Sequence, residues 1–215
     1  MSNYTIKQLS EEEYDLLNNI FIIYQASFDS SLKISQNEVR KYFMDGQYII
    51  NYILNNGNGD ICGFCFLEPL DKINAIQVDY IAIDKRYQGK GLAKLLFEHI
   101  YDTYCINGKI MTLECEDRLI EFYKKLGCQL IPVKYNVQCK HHLNIMTKSK
   151  NGVHFRDYHK IVNRVAVGND YSESHYSFKL EFIIRDLLTN LTNITHNSLP
   201  DNRNPCKYFN EEGII

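Results

Sequence analysis

A short loop rich in glycine joins an apolar strand pattern to an amphipathic helix pattern at residues 81–97. The sequence there is IAIDKRYQGKGLAKLLF, with Gly89 and Gly91 just before the helical periodicity begins. A helix that begins in a glycine turn presents unpaired backbone N–H groups and the positive end of its dipole. Glycine also tolerates positive φ and places no Cβ in front of the backbone. The segment therefore predicts a site for the phosphate or pyrophosphate of a cofactor.

Spacing excludes two common phosphate-binding motifs. A nucleoside-triphosphate loop needs four residues between its first glycine and a Gly-Lys-Ser/Thr, and the segment contains none. A dinucleotide fingerprint needs a third glycine at the position of Lys94. The segment instead resembles the acetyl-CoA signature of the GNAT superfamily of N-acetyltransferases, Gln/Arg-x-x-Gly-x-Gly/Ala. The resemblance identifies the chain as a bacterial-type or viral member of that superfamily.

Two registers of the signature fit, one that begins at Arg86 and one that begins at Gln88. The second is preferred because it leaves residues 84–87 as the linker usual in the family. The resemblance implies that the loop backbone holds the pyrophosphate of acetyl-CoA and that the strand end pairs with the pantetheine arm. The expected cofactor-binding residues are Ile81, Ala82, Ile83, Gln88, Gly89, Lys90, Gly91, Leu92, Ala93 and Lys94.

Residues 120–128, IEFYKKLGC, carry the second part of the resemblance. They are similar to the closing helix of the family, and Gly127 is placed as its left-handed C-cap. In the family, the tyrosine of this helix donates a proton to the departing CoA sulfur, a role that falls here to Tyr123. Aromatic packing is the alternative role. The asparagine common seven residues earlier is Glu116 here, so the sequence departs from the family at one usual pantetheine contact.

Acetyl transfer to an amine needs a base, because free primary amines are mostly protonated at neutral pH. Asp79 lies two residues before Ile81, where several family members carry a glutamate in this role. Its short side chain favours a bridging water, and a salt-bridged strand residue is the alternative. Glu114, on the neighbouring strand pattern, is the second candidate base. The resemblance also implies that the Ile81 N–H stabilises the oxyanion.

Composition limits the partners and the location. The chain has 215 residues and a net charge of −2, without a basic run, so we expect neither nucleic acid nor a membrane as a partner. No signal peptide pattern occurs at the start, which predicts a cytoplasmic protein, in the host cytoplasm if the source is viral. The seven cysteines are expected as thiols. Cys62 and Cys65 have redox or half-zinc spacing, but no second pair completes a site, so no metal is expected.

The order of elements predicts an α/β fold with three layers, α/β/α, and a mixed, mostly antiparallel central sheet. By the resemblance, this sheet is splayed at the cofactor strand. Capping boxes at residues 10–13 and 35–38 predict two helix starts, and Pro69 is expected to end a strand. Residues 1–149 are assigned to the acetyltransferase domain. Residues 150–215 are an extension with an amphipathic helix at 178–194, packed on the core or on a second subunit of a homodimer, and a flexible tail.

The predicted function is N-acetyl transfer from acetyl-CoA to a primary amine, directly within a ternary complex. Asp79, Glu114 and Glu116 would make an acidic cleft, which favours a small cationic amine as the acceptor. A protein acceptor, at a lysine or an N-terminus, is the first alternative. A non-catalytic CoA-binding module is the second, although such a module would need neither Tyr123 nor a carboxylate on the central strand.

Overall fold

The computed structural model describes residues 3–137, 141–151 and 160–161, without the side chains of 132–137, 141 and 142. The chain divides into two compact units, Met1–Met111 and Thr112–Ile215. The predicted helix at 178–194 and the predicted tail lie outside the described residues. Nearly all of the predicted extension 150–215 lies outside them too, so the proposed domain boundary stays a prediction.

The strands of the first unit are antiparallel neighbours in chain order, β1 to β4. Their bounds are Tyr4–Gln8 (β1), Ile49–Asn55 (β2), Ile61–Leu70 (β3) and Ala75–Ile83 (β4). The prediction that Pro69 ends β3 is wrong, since Pro69 pairs with Ile76 of β4. Pairing with β2 ends at Leu67, so Pro69 lies where only β4 pairs with β3, and proline is tolerated at such an edge.

The helices of the first unit are α1 (Leu17–Ser27), α2 (Gln36–Met44) and α3 (Leu92–Tyr104). The predicted capping box of α2 is confirmed, because Ser35 and Glu38 satisfy each other's backbone N–H groups. The box predicted at Ser10 does not form. A 3₁₀ helix, Glu11–Leu16, begins there without a side-chain cap and leads into α1.

Helices cover both faces of β1–β4. On one face, α1 and α2 pack against aromatic residues of β2 and β3, among them Tyr52, Phe64 and Phe66. The intervening residues belong to the other face. There Asn51, which pairs with Cys65 on β3, donates a hydrogen bond to the Tyr104 hydroxyl at the end of α3. Because strand residues alternate between faces, the two helix layers contact different residues of the same strands.

The second unit holds the remaining helix and strands. Their bounds are Ile110–Cys115 (β5, which begins two residues before this unit), Ile120–Lys125 (α4), Gln129–Val137 (β6) and His141–Lys148 (β7). β7 lies between β5 and β6 and is antiparallel to β6. Gly127 has a φ of +83° and ends α4, which confirms the predicted C-cap. Each unit combines strands with helices in the described residues, and the predicted α/β class is confirmed.

Candidate active site

The glycine turn before α3 has the backbone that the sequence predicts. Gly89 and Gly91 have φ values of +74° and +76°, in the left-handed region that favours glycine. The first hydrogen bond of α3 joins the Leu95 N–H to the Gly91 carbonyl, 3.0 Å apart. The N–H groups of residues 92–94 precede this bond and have no acceptor inside the helix. An added Cβ at either glycine would meet no atom within 4 Å, so the backbone here faces open space.

The linker between β4 and this turn is held by polar side chains. The Arg86 guanidinium pairs with Asp84 at 2.8 Å and with Asp60, in the β2–β3 turn, at 3.3 Å. Its hydrogen bond is the main reason why the pKa of Asp84 is lowered. The Tyr87 hydroxyl also donates to Asp60, at 2.6 Å. Arg86 is thus engaged in the linker, which favours the signature register that begins at Gln88.

The polar side chains predicted at the cofactor loop contact their own neighbours. Gln88 donates from Nε2 to the Ile83 carbonyl at 3.0 Å and so ties the turn to the end of β4. Lys90 places its Nζ 4.8 Å from the centre of the Tyr87 ring. Lys94 pairs with Glu98, one helical turn further on, at 3.7 Å. The backbone, rather than these side chains, is therefore the feature of the turn best suited to an anion.

The end of β4 is fixed against β3. Ile81, Ala82 and Ile83 pair with Cys65, Phe64 and Gly63, respectively. Gly63 has no room for a larger residue, because an added Cβ would lie 2.5 Å from the Ile83 side chain and 2.7 Å from the Ala82 carbonyl oxygen. The strand predicted to pair with the pantetheine arm is therefore in close contact with β3 along its other edge.

Asp79 lies at a bulge in β4. Phe66 pairs with Tyr80 while Leu67 pairs with Val78, so Asp79 is an extra residue in the ladder. Adjacent strand residues normally point to opposite faces, but a bulge changes that alternation. Here the side chains of Asp79 and Tyr80, although adjacent in the chain, both contact groups on the face of α1 and α2. Asp79 is half-buried and accepts a hydrogen bond from the Tyr48 hydroxyl at 2.6 Å.

Aromatic rings pack around Tyr48, which donates this hydrogen bond, and around Tyr80, the next residue after Asp79. Tyr48 stacks on Phe66 with ring centres 5.9 Å apart, and Tyr80 contacts Phe28 edge to face at 5.1 Å. The Tyr80 hydroxyl donates to the Leu32 carbonyl at 2.8 Å, which ties the α1–α2 connection to β4. Tyr48 was not predicted as a site residue. Its position just before β2 is the only sequence signal, and it becomes informative once the pairing of the strands is known.

In the second unit, Tyr123 lies on α4, which confirms the predicted closing helix. Its side chain is 6% exposed, and its ring centre lies 5.2 Å from that of Phe122. Glu114 is half-buried on β5. Beyond β5, buried Asn144 donates from Nδ2 to the Cys115 carbonyl at 3.2 Å and to Asp117 at 2.8 Å. The second unit thus contains the predicted acid and the second candidate base, and the first contains the loop and Asp79.

The cysteines of the described residues are buried thiols. Burial raises the pKa of Cys115 to about 11 and that of Cys128 to about 12, and it also raises the pKa values of Cys62 and Cys65. Such thiols are poor nucleophiles at neutral pH. In the described part of the chain, no group of His, Cys, Asp or Glu side chains is arranged to hold a metal. No described helix combines the length and the apolarity needed to span a membrane.

Comparisons with known proteins agree with the geometry. Residues 48–128 match the family model "Acetyltransferase (GNAT) domain". A GNAT-family acetyltransferase from Bacteroides thetaiotaomicron has a similar structure, with a TM-score of 0.61 and 16% identity over 76% of this chain and 98% of that one. No curated protein matches the sequence.

Two further solved structures show the range of activities on this fold. The ribosomal-protein-S18-alanine N-acetyltransferase of Escherichia coli has a TM-score of 0.52 and 20% identity, over 71% of this chain and 97% of that one. The phosphinothricin acetyltransferase of Sinorhizobium meliloti, solved with AcCoA, has a TM-score of 0.54 and 16% identity, over 69% of this chain and 89% of that one. At these identities the structures establish the fold, and the family model adds the domain. Residues 48–128 are thus similar to a GNAT acetyltransferase domain, and the chain shares the fold of these acetyltransferases.

Proposed function

We propose that this protein is an N-acetyltransferase that moves the acetyl group of acetyl-CoA to a primary amine in a ternary complex. The observation that carries the proposal is the turn at Gly89 and Gly91. It combines two positive φ values, open space and the backbone N–H groups of residues 92–94, which have no acceptor inside the helix. These features fit a pyrophosphate at the N-terminus of α3. The acetyltransferase of Sinorhizobium meliloti that shares the fold was solved with AcCoA.

Binding of acetyl-CoA in this proposal rests mainly on the backbone. Hydrogen bonds from backbone N–H groups to a charged phosphate are worth roughly 1.5–3 kcal/mol each. Gln88 would act by fixing the turn on Ile83, and Lys90 and Lys94 would add positive charge near the phosphates. Residues 81–83 would bind the pantetheine arm along the edge of β4. Bound acetyl-CoA supplies an acetyl group activated as a thioester.

The proton transfers are assigned to side chains. Asp79 would accept the proton of the incoming ammonium, directly or through a water, and Glu114 is the second candidate for this role. Tyr123 would hold a proton at Oη for the departing sulfur, and the Ile81 N–H would stabilise negative charge at the carbonyl oxygen. Direct transfer is favoured over an acyl-cysteine because the described thiols are buried and have raised pKa values.

The surroundings of Asp79 indicate the class of the acceptor. Asp79 is a half-buried carboxylate among aromatic rings, which suits a cationic amine, so we favour a small cationic amine. A protein acceptor is the alternative, since one enzyme with this fold acetylates an alanine of a ribosomal protein. A non-catalytic CoA-binding module is the third candidate.

Two measurements test the function. Calorimetry with CoA and acetyl-CoA measures binding, and a thiol-release assay over small amines, amino sugars and peptides measures transfer. We expect turnover with at least one cationic amine. Binding of CoA without turnover on any acceptor would favour the module, and turnover on peptides alone would favour the protein acceptor.

The Tyr123→Phe variant tests the proposed acid. It removes only a hydroxyl, so CoA binding should persist while kcat falls by about 10²–10⁴-fold. Tyr104→Phe is the matched control, because it also removes one tyrosine hydroxyl. That hydroxyl bonds to Asn51, on the face of the sheet opposite Phe64 and Phe66. Equal kcat in both variants would remove Tyr123 from the mechanism and leave the cofactor turn as the only assigned site.

We also propose that residues 1–149 form the acetyltransferase domain of a cytoplasmic protein and that the extension covers an apolar surface. The sequence at 178–194 has an apolar stripe that is unfavourable in water. A chain truncated after Ser149 should bind CoA weakly and aggregate, whereas removal from Asn197 onward should change little. Light scattering of the full chain would reveal a homodimer, and a fully soluble and active 1–149 chain would contradict the proposal.

A further inference from the structure

Tyr48 is a polar neighbour of the Asp79 carboxylate. Its hydroxyl donates to Asp79 Oδ2 at 2.6 Å, a short distance typical of a hydrogen bond to a charged oxygen. The Tyr48 side chain is only 8% exposed, between the ring of Tyr42 at 5.4 Å and the ring of Phe66 at 5.9 Å. A tyrosine packed in this way has few alternative positions, so its hydroxyl is a fixed donor.

The backbone at Asp79 makes such a donor useful. A bulge leaves its extra residue outside the regular ladder, so the regular pairing does not by itself determine where the Asp79 side chain points. A buried or half-buried carboxylate is also destabilised in its charged form unless hydrogen bonds compensate. The hydrogen bond from Tyr48 therefore helps to orient the carboxylate and favours its ionised form.

We propose that Tyr48 is a positioning residue that holds the Asp79 carboxylate in the orientation and ionisation state needed to accept a proton from the acceptor amine. The inference rests on the proposed function, in which Asp79 is the base. It adds a second side chain, from the segment before β2, to the acceptor side of the site. It also predicts that the reactivity of Asp79 depends on the packing of Tyr42 and Phe66 around the Tyr48 ring.

Tyr48 acts through Asp79 and does not exchange protons itself. Burial and the nearby charge of Asp79 raise the pKa of Tyr48, so the hydroxyl stays protonated at any working pH. Other titratable groups of this unit interact with Asp79 or Tyr48. The charge of Asp79 acts on Tyr24 of α1, Cys65 of β3 and Tyr80 of β4, and the charge of Glu68 on β3 acts on Tyr48. Tyr24, Tyr48, Tyr80 and Cys65 all have raised pKa values, so none of them titrates near neutral pH.

The Tyr48→Phe variant tests the proposal. Loss of the donor should move the acidic limb of the kcat/KM profile to higher pH by about one unit, because the carboxylate loses a hydrogen bond that favours its charged form. At neutral pH, kcat should fall about tenfold, while the KM for acetyl-CoA stays unchanged. The matched control is Tyr52→Phe, which removes a buried hydroxyl that donates to a different carboxylate, Glu13, at 3.1 Å. The control should leave the pH profile where it is.

A readout independent of turnover separates this inference from the proposed function. In carbon-detected NMR, the carboxyl resonance of Asp79 should titrate at higher pH in Tyr48→Phe than in the wild type. An unchanged titration of Asp79 would overturn the inference, whether or not the protein acetylates amines. A shifted titration in a protein that acetylates nothing would support the Tyr48–Asp79 interaction and refute the proposed function.

A double-mutant comparison excludes a purely structural role. In an Asp79→Asn background, Tyr48→Phe should cause no further loss of kcat, because the group through which it acts is already gone. Independent losses that multiply would show that Tyr48 matters only for folding or packing, and that would overturn the inference. Thermal unfolding of each variant, compared with Tyr52→Phe, reports any loss of stability separately.

Discussion

The glycine turn before α3 and the bulge of β4 belong to the same unit and to the same proposed site, but they arise differently. The turn is made by consecutive residues, with positive φ at Gly89 and Gly91 and helix N–H groups directly after them. The bulge depends on distant segments, since it arises where β3 pairs with β4 and since Tyr48, from before β2, donates to Asp79. The first depends on local backbone chemistry, and the second depends on the packed fold.

A substitution that changes the backbone of the turn should therefore weaken CoA binding. Gly91→Val forces a β-branched residue into a positive φ and places a side chain in the open space before α3. If about two charge-assisted hydrogen bonds to the pyrophosphate are lost, CoA affinity should fall by about 10³-fold. Calorimetry with CoA measures this loss.

Gly46→Val is the matched control for Gly91→Val. Gly46 also has a positive φ, +69°, and open space around its missing Cβ, but it lies after α2. Both variants should lose similar stability, and only Gly91→Val should lose CoA affinity. Equal CoA binding by Gly91→Val and the wild type would refute the assignment of the turn.

At the bulge, a change in the Asp79 side chain alone should lower kcat. Asp79→Asn keeps the size of the residue and its ability to accept a hydrogen bond from Tyr48, but it removes the base. We expect kcat to fall by about 10²-fold, the lower end for general base catalysis, and the acidic limb of the pH profile to disappear. CoA affinity should not change, because residues 89–94 are untouched.

Glu114→Gln compares the second candidate base with the first. Glu114 lies on β5 in the second unit and is also half-buried. If Asp79 is the base, Glu114→Gln should change kcat by less than about tenfold and keep the acidic limb of the profile. The reverse result would assign the role of base to Glu114. If both variants keep the wild-type kcat and the acidic limb of the profile, neither carboxylate is the base.

The same contrast explains how much the sequence could predict. Patterns within a few residues predicted α3 and its glycine turn, the Gly127 cap of α4, the closing helix of Tyr123 and the Ser35 capping box, and all four are confirmed. The bulge at Asp79 and the contact with Tyr48 could not be predicted, because both depend on the register between strands. The outcome for Pro69 has the same cause, since proline is tolerated there only because pairing with β2 ends at Leu67.

Gly63 packs closely against the end of β4, which lies in the chain between the bulge at Asp79 and the glycine turn. A larger residue here should lower the stability of the fold. A Cβ at this position would lie 2.5 Å from the Ile83 side chain and 2.7 Å from the Ala82 carbonyl oxygen, so β3 or β4 must shift. Gly63→Ala should lower the free energy of unfolding by about 1–3 kcal/mol, as overpacking does. Urea denaturation measures it.

Gly57→Ala is the control for Gly63→Ala. Gly57 lies in the β2–β3 turn, where an added Cβ would make only an ordinary contact, 3.4 Å from Asn55 Oδ1. Its free energy of unfolding should change by less than about 0.5 kcal/mol, as for most surface substitutions. Equal stability of the two variants would show that β3 and β4 adjust around Gly63 without cost.

The smallest expected effects come from two serines with the same local sequence signature. Ser35 and Ser10 are each followed three residues later by a glutamate, but only Ser35 makes the reciprocal bonds of a capping box. Ser35→Ala should therefore lower the free energy of unfolding by about 1 kcal/mol. Ser10→Ala should lower the free energy of unfolding by only a few tenths of a kcal/mol, because the 3₁₀ helix after Ser10 begins without a side-chain cap. Thermal and urea unfolding of both variants measure the difference. Equal losses would mean that the local signature alone determines the energy of the cap, whereas a loss confined to Ser35→Ala would show that the packed chain decides which of two identical signatures is used.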